Sequence, residues 1–87
     1  MIVGFSTKAW EDYKYWVQND KQIVKRINLL LEDIKRNPND SSGIGKPERL
    51  KENYSGYFSR RITSGHRLVY KIVDDLIIIA QCRFHYL

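Results

Sequence analysis

Tyr57-Phe58-Ser59-Arg60-Arg61-Ile62-Thr63-Ser64-Gly65-His66-Arg67-Leu68-Val69-Tyr70-Lys71-Ile72-Val73-Asp74-Asp75-Leu76-Ile77-Ile78-Ile79-Ala80 is the stretch whose reading decides the fold of this 87-residue chain. Tyr57 to Ile62 alternates in character, as a strand with two unlike faces does. Thr63-Ser64-Gly65 supplies turn residues, and Arg67 to Val73 alternates again, with Leu68, Tyr70 and Ile72 on one side. Asp74-Asp75 marks a second turn. Leu76 through Ala80 is a continuous apolar run, expected to continue as a strand to Tyr86. Two successive hairpins of this kind make an antiparallel sheet.

Toward the N-terminus the period changes from two to between three and four. Asn37-Pro38 ends a helix, because proline disfavours helical geometry at the residue before it. Asn39 through Gly45 is a polar loop containing Gly and Ser. Ile23, Val24, Ile27, Leu30, Leu31 and Ile34 form the apolar stripe of that helix, and Asp20 is placed to cap its start. Ahead of it, Trp10, Tyr13, Trp16 and Val17 share one face of a first helix that runs to about Gln18. Ser6 or Thr7 caps it, offering a hydroxyl to unpaired N–H groups. That aromatic stripe reads first as a core face and second as a self-association surface. Ile2 to Phe5 is a short strand. The expected fold is a single α+β domain over residues 1–87, in the order β-α-α-β-β-β: an N-terminal strand and helical hairpin packed on an antiparallel sheet.

The chain carries a net charge of +5. Residues 1–42 hold 7 Lys/Arg against 6 Asp/Glu, whereas residues 43–87 hold 8 against 4. The basic excess therefore travels with the strands, which suits a polyanionic partner, either nucleic acid or an acidic protein. The one cysteine, Cys82, excludes an internal disulfide and sits in apolar company, so it reads as a packing thiol. Met1 to Ser6 lacks the basic region and long apolar stretch of a secretory signal. No stretch approaches a membrane span. A cytoplasmic protein is expected.

Chemistry-bearing residues gather in the second half. Ser59 and Arg61 lie opposite Phe58, Arg60 and Ile62; Arg67, Val69 and Lys71 share a face; Arg61 and Arg67 flank the same turn. On the expected last strand, Arg83 and His85 share one side, with Phe84 and Tyr86 on the other. Lys46-Pro47-Glu48-Arg49-Leu50-Lys51 lies upstream. A sheet face with Arg61, Arg67 and His85, joined at its edge by Glu48 and Lys51, suits metal-independent RNA cleavage. In that reaction the substrate's 2′-hydroxyl is the nucleophile. One group removes its proton and another protonates the leaving 5′-oxygen, roles that Glu and His can divide. Fixed Arg or Lys donors stabilise the phosphorane between them, and Arg matches phosphate oxygens with its planar fork. His66 and His85 lack metal-ligand spacing, and no Gly-rich phosphate loop or nucleophile elbow occurs. No cofactor and no metal are expected.

Trp16, Lys46-Pro47-Glu48-x-Leu50-Lys51, Ser55-Gly56-Tyr57-Phe58-Ser59-Arg60-Arg61-Ile62, His66-Arg67-Leu68-Val69-Tyr70 and Cys82-Arg83-Phe84-His85-Tyr86, in this order, resemble the Txe/YoeB family. Its members are ribosome-dependent messenger-RNA endonuclease toxins of the RelE-like superfamily. The resemblance spans essentially the whole chain. It implies a microbial-ribonuclease-like fold, with Glu48 as general base, His85 as general acid, Arg67 stabilising the transition state and Tyr86 placing the substrate. Lys51 and Arg61 would contact phosphate, Lys46 and Arg60 less strongly, and Phe84 is grouped with these RNA contacts. Implied partners are messenger RNA in the ribosomal A site, a cognate antitoxin whose acidic C-terminal tail lies over the active site, and often a second copy of the chain. The loop Asn39 to Gly45 and the added Leu87 depart from the family pattern; Leu87 bears on how Tyr86 is placed.

Two other classes compete. The basic strands alone would satisfy a non-catalytic nucleic-acid-binding module, and a protein-interaction domain needs no acid–base pair at all. Glu48 separates them: a phosphate binder gains nothing from a carboxylate beside its anion, whereas an acid–base enzyme needs one.

Overall fold

Both helices begin at side-chain caps. Ser6 accepts a hydrogen bond from Ala9 N–H and opens α1, Thr7–Asn19; Asp20 accepts from Gln22 and Ile23 N–H and opens α2, Lys21–Arg36. Each cap satisfies donors that the first helical turn leaves without partners. The computed structural model describes residues 1–38 and 42–85. The strands are β1 (Ile2–Phe5), β2 (Glu48–Arg49), β3 (Phe58–Thr63), β4 (His66–Val73) and β5 (Leu76–Gln81), with a short 3-10 turn at Glu52–Tyr54. The five strands form one sheet in the order β1-β5-β4-β3-β2.

The α+β class and the order of the main elements match the sequence reading, with three differences. First, the sheet is mixed: β1 runs parallel to β5, pairing Ile2 with Leu76 and Phe5 with Ile79. A hairpin must be antiparallel, but β1 reaches its partner only after the whole chain has folded back, so no local turn fixes its direction. β5 thereby lies between β1 and β4, with Ile77 and Ile79 buried on the helix side and Leu76 and Ile78 half-buried on the other. Second, Glu48–Arg49 adds a short edge strand that two residues could not announce in sequence. Third, β5 ends at Gln81 and does not run to Tyr86. Phe84 adopts φ 65°, which breaks the strand alternation expected for Arg83 to Tyr86. Tyr86 and Leu87, and the loop residues Asn39 to Ser41, lie outside the described residues.

The core lies between the helices and one face of the sheet. Ile27, Leu30, Leu31 and Ile34 of α2 and Ala9 and Trp16 of α1 pack on Ile62, Leu68, Tyr70, Ile77 and Ile79, with Cys82 among them. Burial pushes the Cys82 thiol up to about 12, and its Sγ donates to Ala9 O at 3.6 Å, as a packing thiol would. The α1 stripe divides instead of facing inward as a unit. Trp16 is buried, Tyr13 is half-buried, and Trp10 and Val17 are exposed, Trp10 at 48%. The residues α1 buries are Ala9, Asp12 and Trp16. Trp10 stacks on Tyr13 and meets Phe5 edge-on, leaving an aromatic cluster at the surface.

Candidate active site

The face of the sheet turned away from the helices carries the charged residues in register. Glu48 pairs with Ser59, Ser59 with Val69, and Val69 with Gln81, so these four form one row across β2, β3, β4 and β5. Arg61 and Arg67 are direct cross-strand partners two residues along from that row. Directly opposed residues share a face, so Glu48, Arg61 and Arg67 all project from the same side. Strands lie about 4.8 Å apart and rise about 3.4 Å per residue, so Glu48 stands roughly 8 Å from Arg61 and roughly 12 Å from Arg67, Cα to Cα. A phosphodiester fits between side chains of these lengths.

Like charges placed directly opposite each other destabilise a strand pair. Part of that cost is offset at Arg67, which is only 8% exposed: its Nη1 donates to the carbonyls of Thr63, Ser64 and His66. Those bonds hold the guanidinium in one place before any ligand arrives. Arg61, by contrast, is exposed. Lys46 adopts φ 52° and is exposed, as are Glu48 and Lys51. A cleft lined by Glu48 to Tyr54 opens beside the edge strand. His85 is exposed, and the carbonyl of the preceding residue accepts from Arg67 N–H at 3.0 Å, which brings the C-terminal segment to the end of β4 that carries Arg67.

Two expected RNA contacts fare differently. Phe84 is 54% exposed, beside His66 and Arg83 at ring distances of 5.8 and 4.6 Å. Arg60 is corrected: it has no exposed surface and faces the helices. Its guanidinium pairs with Asp33, donates to Ile44 O and, through Nε, to the Tyr70 hydroxyl at 3.0 Å. The Arg60 hydrogen bond holds the Asp33 carboxyl below its ordinary range. A residue buried on that side cannot touch RNA on the other. Instead it anchors the loop leading to Glu48 through the Ile44 carbonyl, and Gly43 lies so close to the pair that a Cβ there would push the Asp33 carboxylate and the Arg60 guanidinium aside.

Some of the supporting residues were not legible as such. Asp12, buried on α1, accepts from Cys82 N–H at 3.1 Å, and Trp16 Nε1 donates to Cys82 O at 2.8 Å. The first helix thus grips the chain where β5 ends. Arg83 lays its guanidinium 3.4 Å from the centroid of the Tyr15 ring. His66 accepts from Phe84 N–H through Nδ1 at 2.7 Å and packs edge-on against Trp16. Trp16, His66, Cys82 and Arg83 lie in the motifs that carry the resemblance, but their spacing in sequence gave no sign of these contacts, and Asp12 stood out in no motif. Among the described residues, no group of three His, Cys, Asp or Glu side chains is placed to hold a metal ion.

A model of the YoeB-like toxin of bacterial type II toxin–antitoxin systems matches residues 5–86. The chain belongs to that family. Toxin YoeB of Escherichia coli (strain K12) is 55% identical over 86 residues, covering 99% of this chain and 100% of that protein. The toxin in the heterotetrameric YoeB–YefM toxin–antitoxin complex of Staphylococcus aureus superposes with a TM-score of 0.90 at 56% identity, over 99% of this chain and 98% of the other. A YoeB dimer from Staphylococcus aureus gives 0.91 at 56% identity over the same shares. No helix among the described residues is long and apolar enough to cross a membrane.

Proposed function

We propose that this YoeB-like toxin is an endoribonuclease that cuts messenger RNA in the ribosomal A site and so inhibits translation. Glu48 takes the proton from a 2′-hydroxyl, the freed oxygen attacks the adjacent phosphorus, the bond to the 5′-oxygen breaks, and His85 delivers a proton to that oxygen. The products are a 2′,3′-cyclic phosphate, or a 3′-phosphate after its hydrolysis, and a 5′-hydroxyl. Arg67, with Arg61 across the strand pair, stabilises the extra negative charge on the phosphorane. Lys51 and Lys46 hold flanking phosphates, and Tyr86 and Phe84 help to place the nucleotide.

The observation that carries this reading is the common face of Glu48, Arg61 and Arg67, with the chain leading into His85 bonded to the Arg67 backbone. A binding module would have no use for the carboxylate beside two arginines. With few cations on the face, substrate positioning comes largely from the ribosome. The same basic face suits the acidic tail of a cognate antitoxin, ordering as it binds. The surface at exposed Trp10, stacked on half-buried Tyr13 and edge-on to half-buried Phe5, suits a second copy of the chain.

The deciding experiment places a single 2′-deoxynucleotide in an A-site codon on the ribosome. Cleavage after that nucleotide alone should stop. Cutting at the normal rate would mean that the nucleophile comes from elsewhere.

A further inference from the structure

His66 has no part in the reaction as written above, yet it touches Phe84, the residue that leads into His85. Phe84 adopts φ 65°, a conformation uncommon for an aromatic side chain and sustained only where the surroundings hold it. It is held at both ends. Its N–H donates to His66 Nδ1 at 2.7 Å, and its carbonyl, which belongs to the peptide bond into His85, accepts from Arg67 N–H at 3.0 Å. The His66 ring is itself fixed edge-on against buried Trp16, ring centroids 4.8 Å apart.

We propose that His66 is a positioning residue for His85: its unprotonated Nδ1 locks the strained Phe84 backbone and thereby sets where the general acid points. This rests on the ribonuclease reading for its catalytic consequence, but the contact itself does not. A backbone N–H can only donate, so Nδ1 must carry a lone pair and the ring proton must sit on Nε2. Protonated histidine has donors on both nitrogens, and the lock opens. The groups facing His66 are Trp16 and Asp12 from α1, Arg83 and Phe84 from the C-terminal segment, and Arg67 on its own strand, with Lys8 of α1 lying 5.9 Å from the Phe84 ring centroid. Burial and Arg83 keep the imidazole neutral to lower pH than usual, and Asp12 opposes them.

Three substitutions separate the acceptor from the ring. His66→Asn puts an amide oxygen near the Nδ1 position and cannot titrate; His66→Gln reaches the Nε2 position instead; His66→Phe keeps the packing on Trp16 and removes the acceptor. On ribosome-bound messenger RNA at pH 7.5, H66N should keep kcat within about threefold of wild type, while H66Q and H66F lose roughly 10- to 100-fold in kcat with KM unchanged. As the pH is lowered below 6.5, the ratio of H66N to wild-type kcat should rise, since both share the same acid and base. In parallel, the 15N-resolved amide signal of Phe84 should titrate with the His66 imidazole in wild type and stay flat in H66N. Wild-type kcat in folded H66F, or a Phe84 amide indifferent to His66 protonation, overturns the proposal. If wild type cuts no RNA, the ribonuclease reading falls, and the amide titration still decides whether His66 holds the segment.

Discussion

Arg60 and Arg61 are neighbours of identical chemistry, and they end on opposite sides of the sheet. Arg60 sits among the helices with no exposed surface, bonded to Asp33, Ile44 and Tyr70. Arg61 stands on the other face, exposed, opposite a second arginine and near Glu48. A buried guanidinium can draw partners only from within the protein, and Arg60 finds them at Nε and Nη1 but not at Nη2 among the described residues, whereas an exposed one beside a like charge is poised for an anion from outside. One peptide bond thus separates a residue that holds the fold from one assigned to the substrate. The two faces differ in the same sense, although Ser59, Val69 and Arg67 are buried on the second as well: its exposed charges, Glu48 and Arg61, have no counterpart at Arg60.

The sharpest way to break that division is to empty the charged face. Glu48→Ala and His85→Ala should each reduce cleavage by about 10²–10⁴-fold and leave the circular dichroism spectrum native. Full toxicity in either folded variant would remove that residue from the mechanism.

The buried face should respond in stability instead. Arg60→Ala leaves the partly exposed Asp33 with the Ile44 N–H but takes away its guanidinium partner and that of the Tyr70 hydroxyl, and should cost about 1–3 kcal/mol in denaturant unfolding. The molecules that remain folded should still bind RNA. Arg61→Ala should stay within about 0.5 kcal/mol of wild type, as exposed positions do, yet weaken RNA binding. Equal stability losses at the two positions would erase the distinction between the faces.

Arg67 tests whether charge or shape matters on the open face. Arg67→Lys keeps the charge but loses the fork and the bonds to Thr63, Ser64 and His66 carbonyls. Cleavage should drop at least about tenfold; near-normal cleavage would show that a point charge suffices there.

The smallest effect is in pH. His66 has a lowered value in the fold, so the unfolded chain takes up its proton first as pH falls. Its contribution to stability is whole above about pH 6.5 and declines below it, down to the folded value. Asp33 is also lowered in the fold, so its contribution is present above its ordinary value and is lost as pH falls through the folded one. Unfolding curves of H66N should lack the first decline, and those of Arg60→Met should show a smaller second one, since Ile44 N–H and Arg36 still act on Asp33.

Local pattern carried much of this protein. The caps at Ser6 and Asp20, the α2 stripe, the two turns and the opposition of Arg61 to Arg67 all depend on residues close in sequence or joined by a hairpin, where spacing fixes geometry. Five features needed the tertiary structure. β1 runs parallel to β5 because its partner is chosen by the folded whole. Trp10 is exposed because the first helix turns Ala9, Asp12 and Trp16 inward. Arg60 is buried because α2 happens to present Asp33 above it. β5 stops at Gln81 because Asp12 and Trp16 seize Cys82. Phe84 turns because His66 and Arg67 hold it. In each case the deciding contact joins segments far apart in the chain, and periodicity, which reads only neighbours, has no access to it.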